Sequence, residues 1–451
     1  MKITFLGGTE TVTGSKYLVE TANTKVLVDC GLYQGYKWLR ERNWQTLPVD
    51  IDKLDAVILT HAHLDHSGYI PVLYKRGFRG PVFTHYATRD LCEILLPDSG
   101  HIQEEDARYY SKHKLSKHQH PLPLYDRETA ERSMELFSPL AFEEVCEIGD
   151  IQFHLQSAGH ILGAASIILE AEGKRVGFSG DVGRPDDIFM RPPQALPELD
   201  LLLLESTYGN RRHDKQDAFQ QLADVVTATA KNGGALLIPS FAVGRAQALQ
   251  FMLTTLMKDG RVPTMPIYLD SPMAINVSNI YYRYTELHRL NHQQCDAMCN
   301  TINFVNHVEE SKALADIHFP HIIIAGSGMA TGGRILHHLK SRLADHRTTV
   351  LFTGYQAGGT RGAKMLQGVE SVKIHGQWIR NRARIEVLSG LSGHGDYRDL
   401  SRWLAESALA PRTAIQLVHG DPDALDGMCD HLRRTTKFNV TIAGYRKILT
   451  L

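Results

Sequence analysis

No stretch of this chain reaches the 18 or more apolar residues of a membrane span. The opening segment, Met1-Lys2-Ile3-Thr4-Phe5-Leu6, enters a strand-like run without the apolar core of a secretion signal. CxxC pairs are missing too. The six cysteines, Cys30, Cys92, Cys146, Cys295, Cys299 and Cys429, lie scattered, which argues against a disulfide framework or a thiolate zinc site and for reduced thiols. A strong charge of either sign is also lacking: the net charge is −1, so no global field draws in a polyanion, although a local basic lining still could. Internal repeats and low-complexity tracts are absent. These absences, with 43% hydrophobic and 22% charged residues, lead us to expect a globular cytoplasmic protein with no membrane partner. At 451 residues the chain exceeds one ordinary core, so two domains are expected.

What the chain does have is His61-Ala62-His63-Leu64-Asp65-His66, three imidazoles and a carboxylate directly after the apolar run Val57-Ile58-Leu59. Residues alternating after a strand can point to opposite sides of a bend, so one loop can supply ligands to two neighbouring metal ions. Imidazole and carboxylate suit Zn²⁺, and two zincs need about seven or eight ligand positions, some shared. The alternative is a surface or internally satisfied histidine cluster, which chance would assemble with odds on the order of 10⁻³ to 10⁻². The metal reading demands further ligands elsewhere. Three candidates end strand-like segments: His160 in Ser157-Ala158-Gly159-His160, Asp181 in Phe178-Ser179-Gly180-Asp181, and His419 in Leu417-Val418-His419. A carboxylate at Asp181 could bridge two metals.

Polar residues recur wherever apolar strands stop, as at Asp29, His61, Asp181 and Glu205, and strand ends are where a sheet-based enzyme builds its site. Residues 98–117, with Glu104, Glu105, Asp106, His113 and Lys114, read as an exposed helix. After Tyr208 the rhythm changes to apolar strand, glycine- or proline-containing turn and amphipathic helix, repeated to about Leu388, which predicts a parallel, doubly wound sheet. The earlier style then returns with His394 and His419. We therefore divide the chain into 1–208, 209–390 and 391–451, the middle part inserted into the domain formed by the other two.

The segment from His61 to Gly68, taken with Asp29, His160 and Asp181, resembles the metallo-β-lactamase fold. Three later segments resemble motifs A, B and C of its β-CASP nucleases: Glu205-Ser206-Thr207-Tyr208-Gly209, Ser392-Gly393-His394-Gly395-Asp396 and Val418-His419-Gly420-Asp421. That group includes RNase J, the nuclease subunit of the mRNA 3′-end cleavage factor, and compact bacterial relatives. The resemblance spans essentially the whole chain. It implies an α/β protein, an αββα sandwich with an inserted Rossmann-like β-CASP domain, that carries two Zn²⁺ per chain. His61, His63 and His160 would hold one zinc and Asp65, His66 and His419 the other, with Asp181 shared and a bridging hydroxide completing both. Asp29 would accept a hydrogen bond from a ligand histidine and fix its ring. His394 is the implied proton donor to the departing 3′-oxygen, with Glu205 orienting it, and Asp65 is counted among the catalytic groups as well as the ligands. Asp396 reads instead as a helix N-cap.

Within the resembled family, the groups acting on RNA carry histidine at motif C, so His419 implies an RNA substrate. The expected reaction is phosphodiester hydrolysis leaving 5′-phosphate and 3′-hydroxyl ends, with endonucleolytic cutting favoured over purely 5′-exonucleolytic trimming. The turns Gly326-Ser327-Gly328-Met329-Ala330-Thr331-Gly332-Gly333-Arg334 and Gly358-Gly359-Thr360-Arg361-Gly362 open helices, where backbone amides can meet phosphate oxygens. The same glycines resemble family turns that face the RNA backbone. They select Ser327, Gly328, Thr331, Gly332, Gly359, Thr360 and Arg361 as substrate contacts, although tight packing also produces such turns. Arg380, Arg382 and Arg384 alternate along an expected strand, as either a basic face or a protected sheet edge. Two rivals stand beside the nuclease: a small-molecule (thio)ester hydrolase of the same fold, and a catalytically silent RNA-binding scaffold. The oligomeric state stays open, a homodimer included.

Overall fold

Leu201-Leu202-Leu203-Leu204 is buried on both faces, the property of a central strand in a covered parallel sheet. In the computed structural model, Leu201–Glu205 lies between Ala414–Val418 and Lys174–Phe178, parallel to both. Residues 1–112, 121–213, 217–354, 356, 359–388 and 390–451 are described; His113, Lys114 and Gly358 lie outside them. The chain divides into two units, one of Met1–Asp186, Met190–Arg212 and His394–Leu451, the other of Asp187–Phe189 and His213–Gly393.

The first unit holds two seven-stranded sheets. One runs Ile448–Thr450, Lys2–Phe5, Tyr17–Glu20, Lys25–Val28, Ala56–Ile58, Val82–His85, Phe137–Leu140, with parallel pairing from Lys25–Val28 onward. The other runs Asn439–Ile442, Ala414–Val418, Leu201–Glu205, Lys174–Phe178, Ala165–Ala171, Ile151–Ser157, Cys146–Ile148. Side-chain alternation sorts the faces. Phe5, Val28 and Ile58 meet Phe153, Ile167 and Leu203 in the core between the sheets. On the far face of the second sheet, Leu202, Leu204 and Leu417 pack against Leu400, Trp403, Leu425 and Met428 of the helices Tyr397–Glu406 and Pro422–Thr435. The helix Tyr86–Lys112 packs on the other sheet. The layers are helix, sheet, sheet, helix, as expected.

Tyr86–Lys112 corrects one expectation. The expected helix covers residues 98–117, yet the observed one begins at Tyr86 and holds Pro97 inside it, a position that removes one N–H and normally breaks or kinks a helix. Buried Leu91, Cys92, Leu95 and Leu96 before the proline hold the helix together by packing.

The second unit carries six parallel strands in the order Ile302–Phe304, Ile267–Asp270, His321–Ala325, Ala235–Pro239, Thr349–Phe352, Arg384–Val387. Alternate residues feed two cores: Leu236, Ile238, Ile322 and Ile324 one, Ala235, Leu237, Ile323 and Val350 the other. The sheet is therefore covered on both sides, the doubly wound arrangement anticipated. The three arginines, however, do not share a strand. Arg380 ends Gln377–Arg380, which pairs with Ser371–Ile374 as a hairpin, and Arg384 begins the edge strand. Arg382 falls in the connection, where its N–H bonds the Leu343 carbonyl, so no common guanidinium face forms.

A polar knot sits inside this unit. The Asp270 carboxylate accepts from His338 Nε2 at 2.6 Å, Ser311 Oγ at 2.5 Å and Arg334 Nη1 at 2.6 Å. Burial would raise its pKa, and these three donors hold it low instead. Asp270→Ala leaves the arginine and histidine without their buried partner and is expected to cost about 3–5 kcal/mol. Thermal denaturation followed by circular dichroism reads that as a lowered midpoint; an unchanged midpoint would show the knot to be dispensable.

Candidate metal centre

The candidate ligands all belong to the first unit; most leave the end of a strand or the turn beyond it, while Asp65 and His66 sit in the short helix Leu64–Ser67. Asp29 follows Lys25–Val28, Thr60 and His61 follow Ala56–Ile58, and His419 follows Ala414–Val418. Asp29 and His419 have φ of 58° and 49°, the left-handed region that non-glycine residues visit at a cost of about 1–3 kcal/mol. Packing of the flanking strands pays for that strain, which turns each side chain back over the sheet edge. At Gly31, by contrast, even a Cβ is excluded: it would lie 1.5 Å from the Asp65 carbonyl.

The side chains converge in two groups. His61, His63, His160 and Asp181 form one, and Asp65, His66 and His419 the other. In the first, His63 Nδ1 lies 3.1 Å from His61 Nε2 and 3.2 Å from His160 Nε2. Asp181 Oδ2 lies 3.3 Å from His61 Nε2 and 3.6 Å from His160 Nε2. In the second, His66 Nε2 and His419 Nε2 are 3.1 Å apart, and His419 Nε2 is 3.6 Å from Asp65 Oδ2. The other Asp181 oxygen, Oδ1, faces this group, 3.3 Å from His66 Nε2 and 3.4 Å from His419 Nδ1. The carboxylate thus turns one oxygen to each group.

These separations fit a metal better than hydrogen bonding. Ligand atoms at ~2.0–2.1 Å from a tetrahedral zinc stand ~3.3 Å from one another. Burial, then the neighbouring His61, pushes the His63 imidazole down to about 3. Burial also lowers His61 and His160. Neutral imidazoles turned edge to edge aim lone pairs into a shared space, which a cation relieves. Asp181 Oδ1 is buried and accepts no hydrogen bond, another sign that the donor set is built for an ion. Asp181 itself is held well below the usual carboxylate range, because His419, His66 and His61 outweigh the opposing effect of burial.

A hydrogen-bonded layer lies behind the ligands. Asp29 Oδ2 accepts from His66 Nδ1 at 2.7 Å, and Oδ1 accepts from the Thr60 N–H at 2.8 Å and its hydroxyl at 2.9 Å. Thr60 Oγ1 also lies 3.0 Å from His61 Nδ1, so a single carboxylate orients rings from both groups. Thr207 Oγ1 does the same for His419, 3.2 Å from Nδ1. Sequence reasoning missed Thr60 and Thr207, although Thr60 directly precedes the His61 motif and Thr207 stands inside Glu205–Gly209. Asp29→Ala is expected to weaken metal affinity about 10–100-fold. Competition against a chromogenic chelator measures this, and unaltered affinity would remove Asp29 from the orienting role.

His394 stands at the rim. Its Nδ1 is 3.1 Å from Glu205 Oε1, and its Nε2 points inward, 3.9 Å from Asp181 Oδ2. Glu205 is fully buried and accepts the N–H groups of Val182 at 2.8 Å and Thr207 at 3.1 Å, so its position is fixed. Burial lowers the His394 pKa, but the Glu205 and Asp181 carboxylates outweigh it and raise the imidazole to about 9. Asp396 caps the helix Tyr397–Glu406, accepting from the Arg398 and Asp399 amides.

The proposed substrate contacts belong to the second unit, where Ser327, Gly328, Thr331 and Gly332 share one turn. Ser327 Oγ accepts the amides of Thr331 at 3.1 Å and Gly332 at 3.2 Å. Arg361 braces the same turn, donating to the carbonyls of Ala330, Thr331 and Lys373. Gly359 adopts φ 83°, and Thr360 caps the short helix Arg361–Leu366 by accepting from Ala363.

Comparison with known proteins agrees with this architecture. A beta-lactamase superfamily domain matches residues 24–240, a Beta-Casp domain residues 246–365, and a Zn-dependent metallo-hydrolase RNA specificity domain residues 378–443. Ribonuclease TTHA0252 of Thermus thermophilus is 36% identical over 433 residues, covering 94% of each chain. Transcription termination factor FttA of Methanosarcina mazei is 31% identical, covering 94% of this chain and 67% of its own length. A crystal structure of a protein of unknown function from Enterococcus faecalis V583 superimposes with a TM-score of 0.59 at 12% identity, covering 100% of this chain and 99% of the other, which speaks to the fold alone.

Proposed function

Because the chain belongs to the β-CASP family of metallo-β-lactamase-fold nucleases, we propose that it is a zinc-dependent ribonuclease. In this reading it hydrolyses RNA phosphodiester bonds to leave 5′-phosphate and 3′-hydroxyl ends, by internal cleavage rather than only by 5′ trimming. The observation that carries it is the Asp181 carboxylate, with one oxygen toward each of two ligand groups. The named ribonuclease relative and the RNA specificity domain support RNA as the substrate.

In this reading His61, His63 and His160 hold one zinc, Asp65, His66 and His419 the other, and Asp181 both. Two zincs bound there would supply Lewis acidity toward the phosphoryl group and a nucleophile from water at neutral pH. Asp29, Thr60 and Thr207 keep the ligand rings aimed. His394 delivers a proton to the departing 3′-oxygen, and Glu205 holds its other ring nitrogen. In the second unit, Ser327, Gly328, Thr331, Gly332, Gly359, Thr360 and Arg361 line the RNA backbone, with Arg361 and the Ser327 hydroxyl shaping the turn. No helix among the described residues is long and apolar enough to cross a membrane, and we read the protein as cytoplasmic.

The test uses 5′-labelled and internally labelled RNA with protein stripped by chelator and then resupplied with zinc. Zinc-restored cleavage with 5′-phosphate ends at internal positions is the expected result. Thioester hydrolysis without RNA cleavage, or RNA binding without cleavage in the zinc-loaded protein, would overturn the reading.

A further inference from the structure

The chain leaves the metal centre through a segment whose exposed rings no step above uses. Within nine residues it displays Tyr36 at 71%, Trp38 at 55% and Trp44 at 57% exposure. Isolated exposed rings are ordinary, but three on one short segment form a patch that wants a partner. Their support is rigid. The turn of helix Lys37–Glu41 is pinned by buried Leu39, and the buried Asn43 amide bonds both the N–H and the carbonyl of Tyr33, at 2.9 and 2.8 Å.

Cations interleave with the rings. The Arg42 guanidinium lies 4.2 Å from the Tyr445 ring centroid and 5.0 Å from that of Trp38, and Arg446 lies 5.3 Å from Tyr445. Lys37, Arg40, Arg42, Arg446 and Lys447 gather on these two segments, with Glu41 paired to Lys37 at 3.8 Å and Asp106 beside Arg40. On a chain of net charge −1, this is a local concentration of positive charge.

The patch is also continuous with the ligand-bearing backbone of the same unit. Cys30 N bonds the His66 carbonyl at 2.7 Å and Leu32 N the Leu64 carbonyl at 2.8 Å, four residues before Tyr36. On the other side, Arg446 N bonds the Phe5 carbonyl at 2.8 Å.

We propose that Tyr36, Trp38 and Trp44, with Arg42, Tyr445 and Arg446, form a stacking platform for single-stranded RNA on the metallo-hydrolase unit. The proposal rests on the nuclease reading and extends it to a second substrate-holding surface. The match is chemical: unpaired bases offer planar faces to the rings, and the phosphates between them offer charge to the arginines and lysines. Stacking tolerates any base, so the platform grips a strand without selecting its sequence.

The test measures fluorescence anisotropy of a labelled oligouridylate of about 20 nucleotides. An abasic phosphodiester strand of equal length serves as comparison. Both are titrated against metal-loaded protein, and again with chelator so that cleavage cannot mask binding. The Tyr36→Ala/Trp38→Ala/Trp44→Ala variant, its fold checked by circular dichroism, is expected to bind oligouridylate at least about tenfold more weakly and to lose its preference over the abasic strand. The Phe-for-all-three variant is expected to stay within about threefold of the parent, since it keeps the faces. Arg42→Ala is expected to flatten the salt dependence of binding. Unchanged affinity in the triple alanine variant overturns the platform, as does a change in sedimentation without a change in RNA affinity, which would mark a protein–protein contact. Because binding is read without turnover, absent zinc-dependent cleavage would instead sink the nuclease reading and leave this result standing.

Discussion

Asp181→Ala is expected to yield a folded protein that retains fewer than two transition ions per chain at saturating zinc, with RNA cleavage reduced by on the order of 10⁴-fold or more. Each other candidate ligand faces a single group, whereas the Asp181 oxygens lie 3.3 Å from His61 and 3.3 Å from His66, one in each group. In the proposed two-zinc reading its loss therefore removes a ligand from both centres at once. In the same reading it would also remove the negative charge that offsets two cations in a buried site, where charge is costly unless compensated. Asp181→Asn keeps the shape and one neutral oxygen donor, so it should retain more metal than the alanine variant while still losing activity. Metal analysis by mass spectrometry on gel-filtered protein decides the matter. Two ions per chain in Asp181→Ala would show that the carboxylate does not bridge.

The part of this centre that could be read from sequence is the part that chemistry forces onto strand ends. A ligand must leave a rigid element, so His61, Asp181 and His419 each follow an apolar run that sequence alone reveals. The hydrogen-bonded layer was less legible. Thr60 and Thr207 are ordinary strand-end and turn residues by type, and only their distances to His61 and His419 mark them. Local rules failed where packing overrides them. Polar residues 98–117 suggested a helix beginning there, but the apolar residues before Pro97 start it earlier, at Tyr86, and carry it through the proline. The alternation of Arg380, Arg382 and Arg384 suggested one strand, but the chain turns between them. The glycine-rich turns keep both of their readings. Gly328 has no room for a Cβ, which would come within 2.7 Å of the Phe241 ring, so close packing alone explains a glycine there whatever else the turn contacts. The aromatic segment at Tyr36–Trp44 escaped notice because its rings follow neither a helical nor a strand period, and exposure becomes visible only in three dimensions.

His394→Ala should keep both metals and lose RNA cleavage by about 10²–10⁴-fold, the usual contribution of a positioned general acid. The geometry separates this residue from the ligands. Its Nδ1 is committed to Glu205, and its Nε2 is 3.9 Å from Asp181, so it borders the centre without closing it. The two carboxylates raise the imidazole to about 9 against the pull of burial, and in the proposed role its proton goes to the departing 3′-oxygen. Leaving-group dependence tests that role directly. Nitrophenolate departs without protonation, so the same variant should hydrolyse bis(p-nitrophenyl) phosphate with a much smaller loss than it shows on RNA. Glu205→Gln, which keeps the volume but removes the charge, should show the same selectivity in weaker form. Loss of zinc from His394→Ala would make the residue a ligand instead. Equal losses on both substrates would show that His394 positions the phosphodiester rather than protonating the leaving group.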